Sequence, residues 1–494
     1  MLTSLNLDDQ NFDDIVELIM SELPRLAPEW TDYNEHDPGI TLLELFAWYK
    51  EMQQYHLNAV TDAILSKLLL LAGMRPLPES PASATVQLPE EVQSLPALTK
   101  LYAAADVVFE LDADYSVSAK LTGADAVSEL GERTDIRTYF NQPNLSAAPF
   151  AFNGSVSKLE LTLENVTGSP IRLYFEIDDR CSVPRNPFTD AFQVPRIIEW
   201  SVNGVTFTPD TDETHALSQS GFVTFTPEKS AESLAVVLYL REKGCEEEVR
   251  LRNISARTVT AVQRRTYTEP LTFDVDGLPN LSLPLPVTDG YVLANELVLM
   301  VRKGSGYERW NYTDDLNSAA SGEKVFTLDA KRENVLFGDG EYGAVVPKGE
   351  SAVVIEKLPV SYLERGNIPA GTMRIDDTEF FAENSAASGG RNTETVRETA
   401  RRLAKRLRSS NKCVSAEDYK RAALNTPGLR VSAAEVRVGF DPDAPTEKST
   451  LPIVTISVLP ANENGHGQPD SRFIDTVYRY LNSKRPIGVT VKVR

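Results

Sequence analysis

The stretch Phe337 to Gly349, FGDGEYGAVVPKG, decides the class of the fold. Gly338, Gly340 and Gly343 spell G-x-G-x-x-G, the spacing of a phosphate-binding loop. A dinucleotide site would make the region α/β, because the pyrophosphate sits on the N-terminus of a helix that starts straight after the glycines. The residues that follow, AVVPKGESAVVIEK, contain the helix breakers Pro347 and Gly349, and their valines suit a strand. A protein-kinase loop fails as well. The histidines are His36, His56, His215 and His466, none precedes Arg-Asp, and D-F-G does not occur. Asp339-Gly340 between apolar runs instead signals a type I′ hairpin turn, with positive φ at both central residues. Gly338, Asp339, Gly340 and Gly343 are therefore read as a structural turn between two strands.

Outward from this turn the pattern stays β from 79 to about 380. Short alternating or β-branched runs such as KLELTLENV, IRLYFEI and LAVVLYL recur between turn residues. Residues 136–255 read as an inserted sandwich, and 79–135 with 256–385 as a β-rich central domain. Residues 1–78 are helical instead. Phe12, Ile15, Leu18, Ile19 and Leu23 recur at helical spacing behind an Asn11 cap, and Pro24 and Pro28 end that helix. A second helix starts at Asp37-Pro38, or a turn later if Thr41 and Glu44 form a capping box. From 386 the order α-β-β-α-β gives a small C-terminal α+β domain, led by a small-residue linker read as a hinge over 384–391. The fold class is thus multi-domain α+β: a helical N-terminal segment, a β-rich, sandwich-like middle and an α-β-β-α-β domain over 386–494.

Between Ile40 and Leu71, 20 of 32 residues are apolar or aromatic, against 41% for the whole chain of 494. Helices this apolar carry grease on more than one face, and the surplus calls for partner helices. Leu42, Leu45, Phe46, Tyr49 and Met52 are the candidate contacts, with Trp30 and Trp48 in the same protein–protein surface. The most basic stretch is the helix 393–408, with Arg397, Arg401, Arg402, Lys405, Arg406 and Arg408. It reads either as a solvated face or as a docking surface for an acidic partner.

The charge balance is acidic, 71 Asp+Glu against 50 Lys+Arg for a net −21, which argues against nucleic acid or an anionic membrane as partner. The longest apolar runs, LFAWY and LLLLA, are too short to cross a bilayer, and the first residues lack a signal peptide's basic and apolar regions. Cys181, Cys245 and Cys413 form no C-x-x-C. Glu35-His36-Asp37 suits a cap and its flank better than a metal site, since three consecutive residues do not converge on one ion. No catalytic set and no cofactor is indicated. A sandwich-borne glycan or receptor adhesin and an enzyme of unrecognised type stay open on residues alone.

Four stretches together resemble the J-like baseplate wedge family of contractile tails, found in tailed phages, R-type bacteriocins and phage-tail-like injection systems. They are PEWTDYNEHDPGITLLELFAWYKEMQQYHLNAV (28–60), NVLFGDGEYGAVVPKGE (334–350) with RGNIPAG (365–371), VSAEDYKRAALNTPGL (414–429), and LPIVTISVLP with RPIGVTVKV. In the first, Trp30, Asp37, Pro38, Gly39, Thr41 and Glu44 carry the signature. The resemblance implies that the glycine turn binds no nucleotide. It implies a structural subunit whose N-terminal helices join a shared bundle with a second J-like chain and a third wedge subunit. Spike, hub and sheath-end proteins would be further partners. Such a particle would assemble in the bacterial cytoplasm and relay the trigger for sheath contraction by domains moving about linkers.

Overall fold

The computed structural model describes all residues except 1–9, 35, 59–60, 104–106, 138–149, 153–155, 190–196, 243–248, 288, 330–331, 409–411, 444–451 and 463–464. Glu35 and Cys245 lie outside the described residues. The chain divides into two compact units, Met1–Pro78 with Thr393–Ser409, and Glu79–Asn392 with Ser410–Arg494. The class is mixed, multi-domain α+β, as the alternation of patterns implied.

The first unit contains helices α1 (Phe12–Leu26), α2 (Pro38–Asn58), α3 (Asp62–Leu71) and α4 (Val396–Arg408). Asn11 and Asp14 form a reciprocal capping box at the start of α1. Pro24 does not end α1: the helix gives up one N–H donor there but continues to Leu26, and Ala27 N–H still bonds Leu23 O at 2.8 Å. Gly73, at φ +69°, closes α3 through bonds from its own N–H to Leu70 O and from Met74 N–H to Leu69 O, a Schellman motif. Helix α4 packs on α3, so residues 393–408 belong with the N-terminal helices and not with the C-terminal domain. The reason is polar as well as apolar. The Glu394 carboxylate accepts from Leu77 N–H at 2.9 Å, Thr399 Oγ1 at 3.1 Å and Arg402 Nη2 at 2.8 Å, and Arg402 also donates to Arg75 O at 2.6 Å.

The second unit holds four apolar cores. Ser83–Gln87, Lys100–Tyr102, Val108–Leu111, Thr258–Val262, Gly371–Ile375 and Phe381–Asn384 close a barrel around Leu101, Phe109, Leu111 and Met373. A nine-stranded sheet between 265 and 361 builds a separate core around Leu299, Trp310, Phe326 and Val353. The central domain expected over 79–135 and 256–385 is thus two bodies. The sandwich packs a five-stranded sheet on a six-stranded one around Leu161, Phe175, Trp200 and Val236. It begins earlier than 136: Lys120–Ser128 pairs antiparallel with Val156–Val166. Its inward residues there are Ala124 and Ala126, too small to stand out as an apolar run.

In the C-terminal body, α5 (Ala416–Leu424) starts with a Ser415–Asp418 capping box and α6 (Ser471–Lys484) with Asp470. They bury Tyr419, Phe473, Val477 and Leu481 against a sheet whose strand Ile453–Asn462 pairs antiparallel with Val431–Val438 and parallel with Thr490–Val493. A sandwich loop clasps this body. Asn186 Nδ2 donates to Leu424 O and Thr426 O, each at 2.9 Å, and Asp179 accepts both terminal nitrogens of Arg430. The Phe188 ring lies so close over Gly428 that a Cβ there would sit 3.0 Å from it.

The segment 384–391 is no free hinge. Ser83 and Ser388 exchange two backbone hydrogen bonds at 2.9 and 3.0 Å, and Ser80 and Arg391 do the same. Asn367 adds a third tie by accepting from Gly390 N–H at 2.9 Å. A segment paired in this way is held like a strand, whatever its glycines allow.

The barrel and the nine-stranded sheet meet at a buried charge cluster. Glu110 and Arg264 lie 3.4 Å apart with side chains 1% and 5% exposed, and Glu110 accepts from Thr266 N–H and Oγ1, both at 2.6 Å. Arg264 also reaches Glu296 at 2.6 Å. Removing the Glu110 carboxylate leaves Thr266 N–H and hydroxyl without their acceptor in a dry site, while Arg264 keeps Glu296 and Asp112. Glu110→Ala is expected to lower stability by about 1–3 kcal/mol, read as a lowered urea midpoint for the β-rich unit.

Candidate functional site

The α1–α2 hairpin is laid down by local chemistry. Asp37 Oδ1 accepts from Gly39 N–H at 2.8 Å and Ile40 N–H at 3.2 Å, so α2 starts at Pro38, whose missing N–H is no loss at the first helical position. The alternative start at a Thr41–Glu44 box is not used. Thr41 sits inside the helix, its hydroxyl donating to Asp37 O at 3.1 Å, and Glu44 is half-buried. Trp30 lies across Gly39: a Cβ added there would meet the indole Cζ2 at 2.2 Å. That contact explains the Trp…Asp-Pro-Gly spacing physically, since the ring closes on the first turn of α2 only where no side chain intervenes. Phe12 N–H bonds Glu51 Oε1 at 3.2 Å and Lys50 Nζ bonds Gln10 Oε1 at 2.8 Å, so α1 runs back along α2.

This hairpin buries little. Ile15, Leu23, Ile40 and Ala47 are its fully buried apolar side chains among the described residues. Leu42, Leu45, Phe46, Tyr49 and Met52 stand in water, from 36% exposed at Met52 to 64% at Phe46, and Trp48 and Tyr55 extend the surface. On α3, Ile64, Leu68 and Leu71 are exposed while Leu69 is buried. On α4, Val396, Ala400 and Leu403 are half-buried, but Leu407 is 77% exposed.

Full burial of a Leu or Phe is worth about 1.5–3 kcal/mol, so the half still exposed is worth roughly 1 kcal/mol each. Association costs on the order of 4–15 kcal/mol in lost freedom. The five residues of α2 alone fall near the bottom of that range, so a stable contact has to draw on α3 as well. Exposed apolar side chains are present on both helices.

The glycine turn is a turn, but not the expected hairpin. Asn334–Phe337 pairs with Ser282–Pro284 and Val325–Leu328, and no strand follows until Gly349. Asp339 does not take positive φ; its carboxylate folds back to accept from Glu341 N–H at 2.9 Å and Tyr342 N–H at 2.8 Å. These bonds, that to Tyr342 first, hold its pKa below the usual carboxylate value. Gly340 and Gly343 sit at φ +98° and +82°, and a Cβ on Gly338 would strike Tyr342 O at 2.3 Å. Gly340 N–H goes to Gly343 O and Gly343 N–H to Ala320 O. The N–H groups that would cradle a phosphate are thus spent internally around a carboxylate.

Elsewhere among the described residues no set of reacting groups converges. A cavity of about 250 Å³ is lined in part by Glu90, Lys120, Arg137 and Arg257. Lys120 pairs with Glu90 at 3.2 Å, Arg137 donates to Thr122 O, and Arg257 donates to Pro89 O and Val92 O. Among the described residues no group of three His, Cys, Asp or Glu is placed to hold a metal, and no helix is long and apolar enough to cross a membrane. Cys181 and Cys413 are unpaired thiols, and burial raises that of Cys413. The residues that sequence reasoning missed are Glu394, Met74 and Arg75, which join α4 to the α3 end. Their separation of more than 300 positions left no local signal.

No protein-family model matches the sequence, and no curated protein is similar to it. Among solved structures, the chain is similar to one in a type VI secretion system TssK-TssF-TssG baseplate subcomplex, at 10% identity and a TM-score of 0.37, covering 92% of this chain and 95% of that one. It is also similar to one in the anti-feeding prophage baseplate, at 10% identity and a TM-score of 0.30, covering 98% of this chain and 70% of that one.

Two outcomes test this geometry. Gly39→Ala is expected to expel the Trp30 ring, seen as a red shift of the emission component that disappears in Trp30→Phe. Glu394 is held at about 2, against an ordinary 4.5, chiefly by its hydrogen bond from Arg402. A depressed carboxylate pKa contributes stability that is complete above the unfolded value and is lost as pH falls toward the folded one. The urea midpoint should therefore drop between pH 4.5 and about 2, and Glu394→Gln should shrink that drop.

Proposed function

We propose that this chain is a structural subunit of the baseplate wedge of a contractile injection apparatus. It assembles around the central spike and passes on the trigger for sheath contraction. Its N-terminal helices enter a bundle shared with a second J-like chain and a third wedge subunit, and spike, hub and sheath-end proteins are its further neighbours in the particle. It does no catalysis of its own.

One observation carries this reading: the apolar face of α2 and α3 stays in water while the β bodies of the other unit close cores of their own. The four sequence stretches resembling J-like wedge proteins supply the kind of assembly. The Trp30–Gly39 contact and the Asp37 cap give the first of them a mechanical role, namely aiming α2. The tied segment 384–391 argues that any trigger-linked movement happens elsewhere than at that linker.

Leu45→Asp combined with Phe46→Asp is the test. Both side chains are exposed, so the chain keeps its fold, and co-purification with the other wedge subunits is expected to disappear. Undiminished co-purification with a folded variant removes the bundle assignment.

A further inference from the structure

We propose that the cavity at the seam between the barrel and the sandwich binds a tetrahedral oxyanion of the phosphate or sulfate class, held by Arg137 and Arg257. The site lies wholly within the β-rich unit and does not rest on the bundle reading.

The chain crosses between these two bodies twice. It enters the sandwich at the strand Lys120–Ser128 and returns from the strand Val249–Ser255 to the barrel strand Thr258–Val262. Residues of both crossings, Lys120, Leu121 and 253–257, line the cavity of about 250 Å³, together with Gln87 and Leu88 from the end of the barrel strand Ser83–Gln87. Its walls are tied to each other. Leu88 N–H donates to Arg257 O at 2.9 Å, and Asn253 Nδ2 donates to Gln87 Oε1 at 3.0 Å. A ligand therefore meets a preformed site and orders little on entry.

Four ionisable side chains line it, Glu90, Lys120, Arg137 and Arg257. Glu90 and Lys120 pair at 3.2 Å and are well solvated, so their charges cancel. The two guanidiniums are half-buried, and neither is in an ion pair among the described residues. Arg137 spends Nη1 on Thr122 O, and Arg257 spends Nη2 on Pro89 O and Val92 O. Arg257 Nε is shut off from solvent with no acceptor. Ser255 is buried, and its hydroxyl accepts from Arg257 N–H at 3.0 Å with its own proton still to donate.

A charged N–H sealed away without an acceptor is costly, and two like charges on one cavity repel. In a chain of net −21 no carboxylate reaches either arginine, so an outside anion relieves both costs. The donor set selects its shape. A planar carboxylate commits both oxygens to one guanidinium fork, whereas a tetrahedral oxyanion keeps oxygens for the second arginine and the Ser255 hydroxyl. At about 30 Å³ per water, the cavity holds such an ion with waters around it.

The experiment is isothermal titration of the full chain with sodium phosphate, and with sodium acetate at matched ionic strength. Phosphate is expected to bind at one site, at least about tenfold more tightly than acetate, and sulfate is expected to compete. Arg137→Gln should weaken phosphate at least about tenfold with unchanged circular dichroism, and Arg137→Lys, which keeps a charge but not the fork, should fall between. Broadening of the phosphate phosphorus resonance by the parent chain, reversed by sulfate and not by chloride, reads the same site without a variant. No phosphate binding at about 10 mM, acetate binding as tightly as phosphate, or an Arg137→Gln chain that binds like the parent overturns the proposal. None of these results bears on the Leu45/Phe46 test, because those side chains lie in the other unit.

Discussion

Apolar side chains leave water only when something covers them, and in the helical unit the chain supplies too little cover. Ile40 and Ala47 are sealed on one side of α2, whereas Phe46 and Leu45, one or two positions away, are not. A helix with apolar residues on more than one face has to be central to something. Its stability as an isolated element is marginal, because four helices joined by short contacts bury few side chains between them. Polar ties make up part of the deficit. The Asp37 cap, the Trp30 ring on Gly39, and the Glu394 junction that receives Leu77, Thr399 and Arg402 hold the backbone in place while leaving the apolar face open.

The β-rich unit follows the opposite logic. Each of its bodies closes its own core, and the joints between them are polar and specific. Glu110 and Arg264 tie the barrel to the nine-stranded sheet where water is excluded, so the geometry there is strongly determined. Asp179, Asn186 and Phe188 bind the sandwich to the turn around Gly428. A sandwich clasped in this way is part of the framework, and the loop that holds it is occupied by protein. The left-handed residues His215, Ala216 and Leu217 belong to the same corner, with His215 stacked on Phe188 at 4.0 Å. Strained backbone of this kind persists only when its surroundings determine it.

The helical unit leaves the apolar side chains of α2 and α3 exposed, together with Arg397, Arg401 and Lys405 of α4. Against a net charge of −21 the basic stretch of α4 is a localised exception.

Much of this was legible in the residues themselves. Periodicity placed the helices and strands, Asp37-Pro38 marked the start of α2, Ser415 and Asp418 that of α5, and the density of apolar residues from 40 to 71 exceeded what the helices bury among themselves. These are local properties, set by hydrogen bonding and side-chain spacing within a few turns. Tertiary structure alone decided the rest. It paired α4 with α3, ran the sandwich back to Lys120, split the central β region into two cores, and pinned 384–391 against 80–85. Each of these joins groups far apart in the chain or depends on small residues such as Ala124 and Gly39. What they pack against is set by distant backbone, and no window of sequence records that.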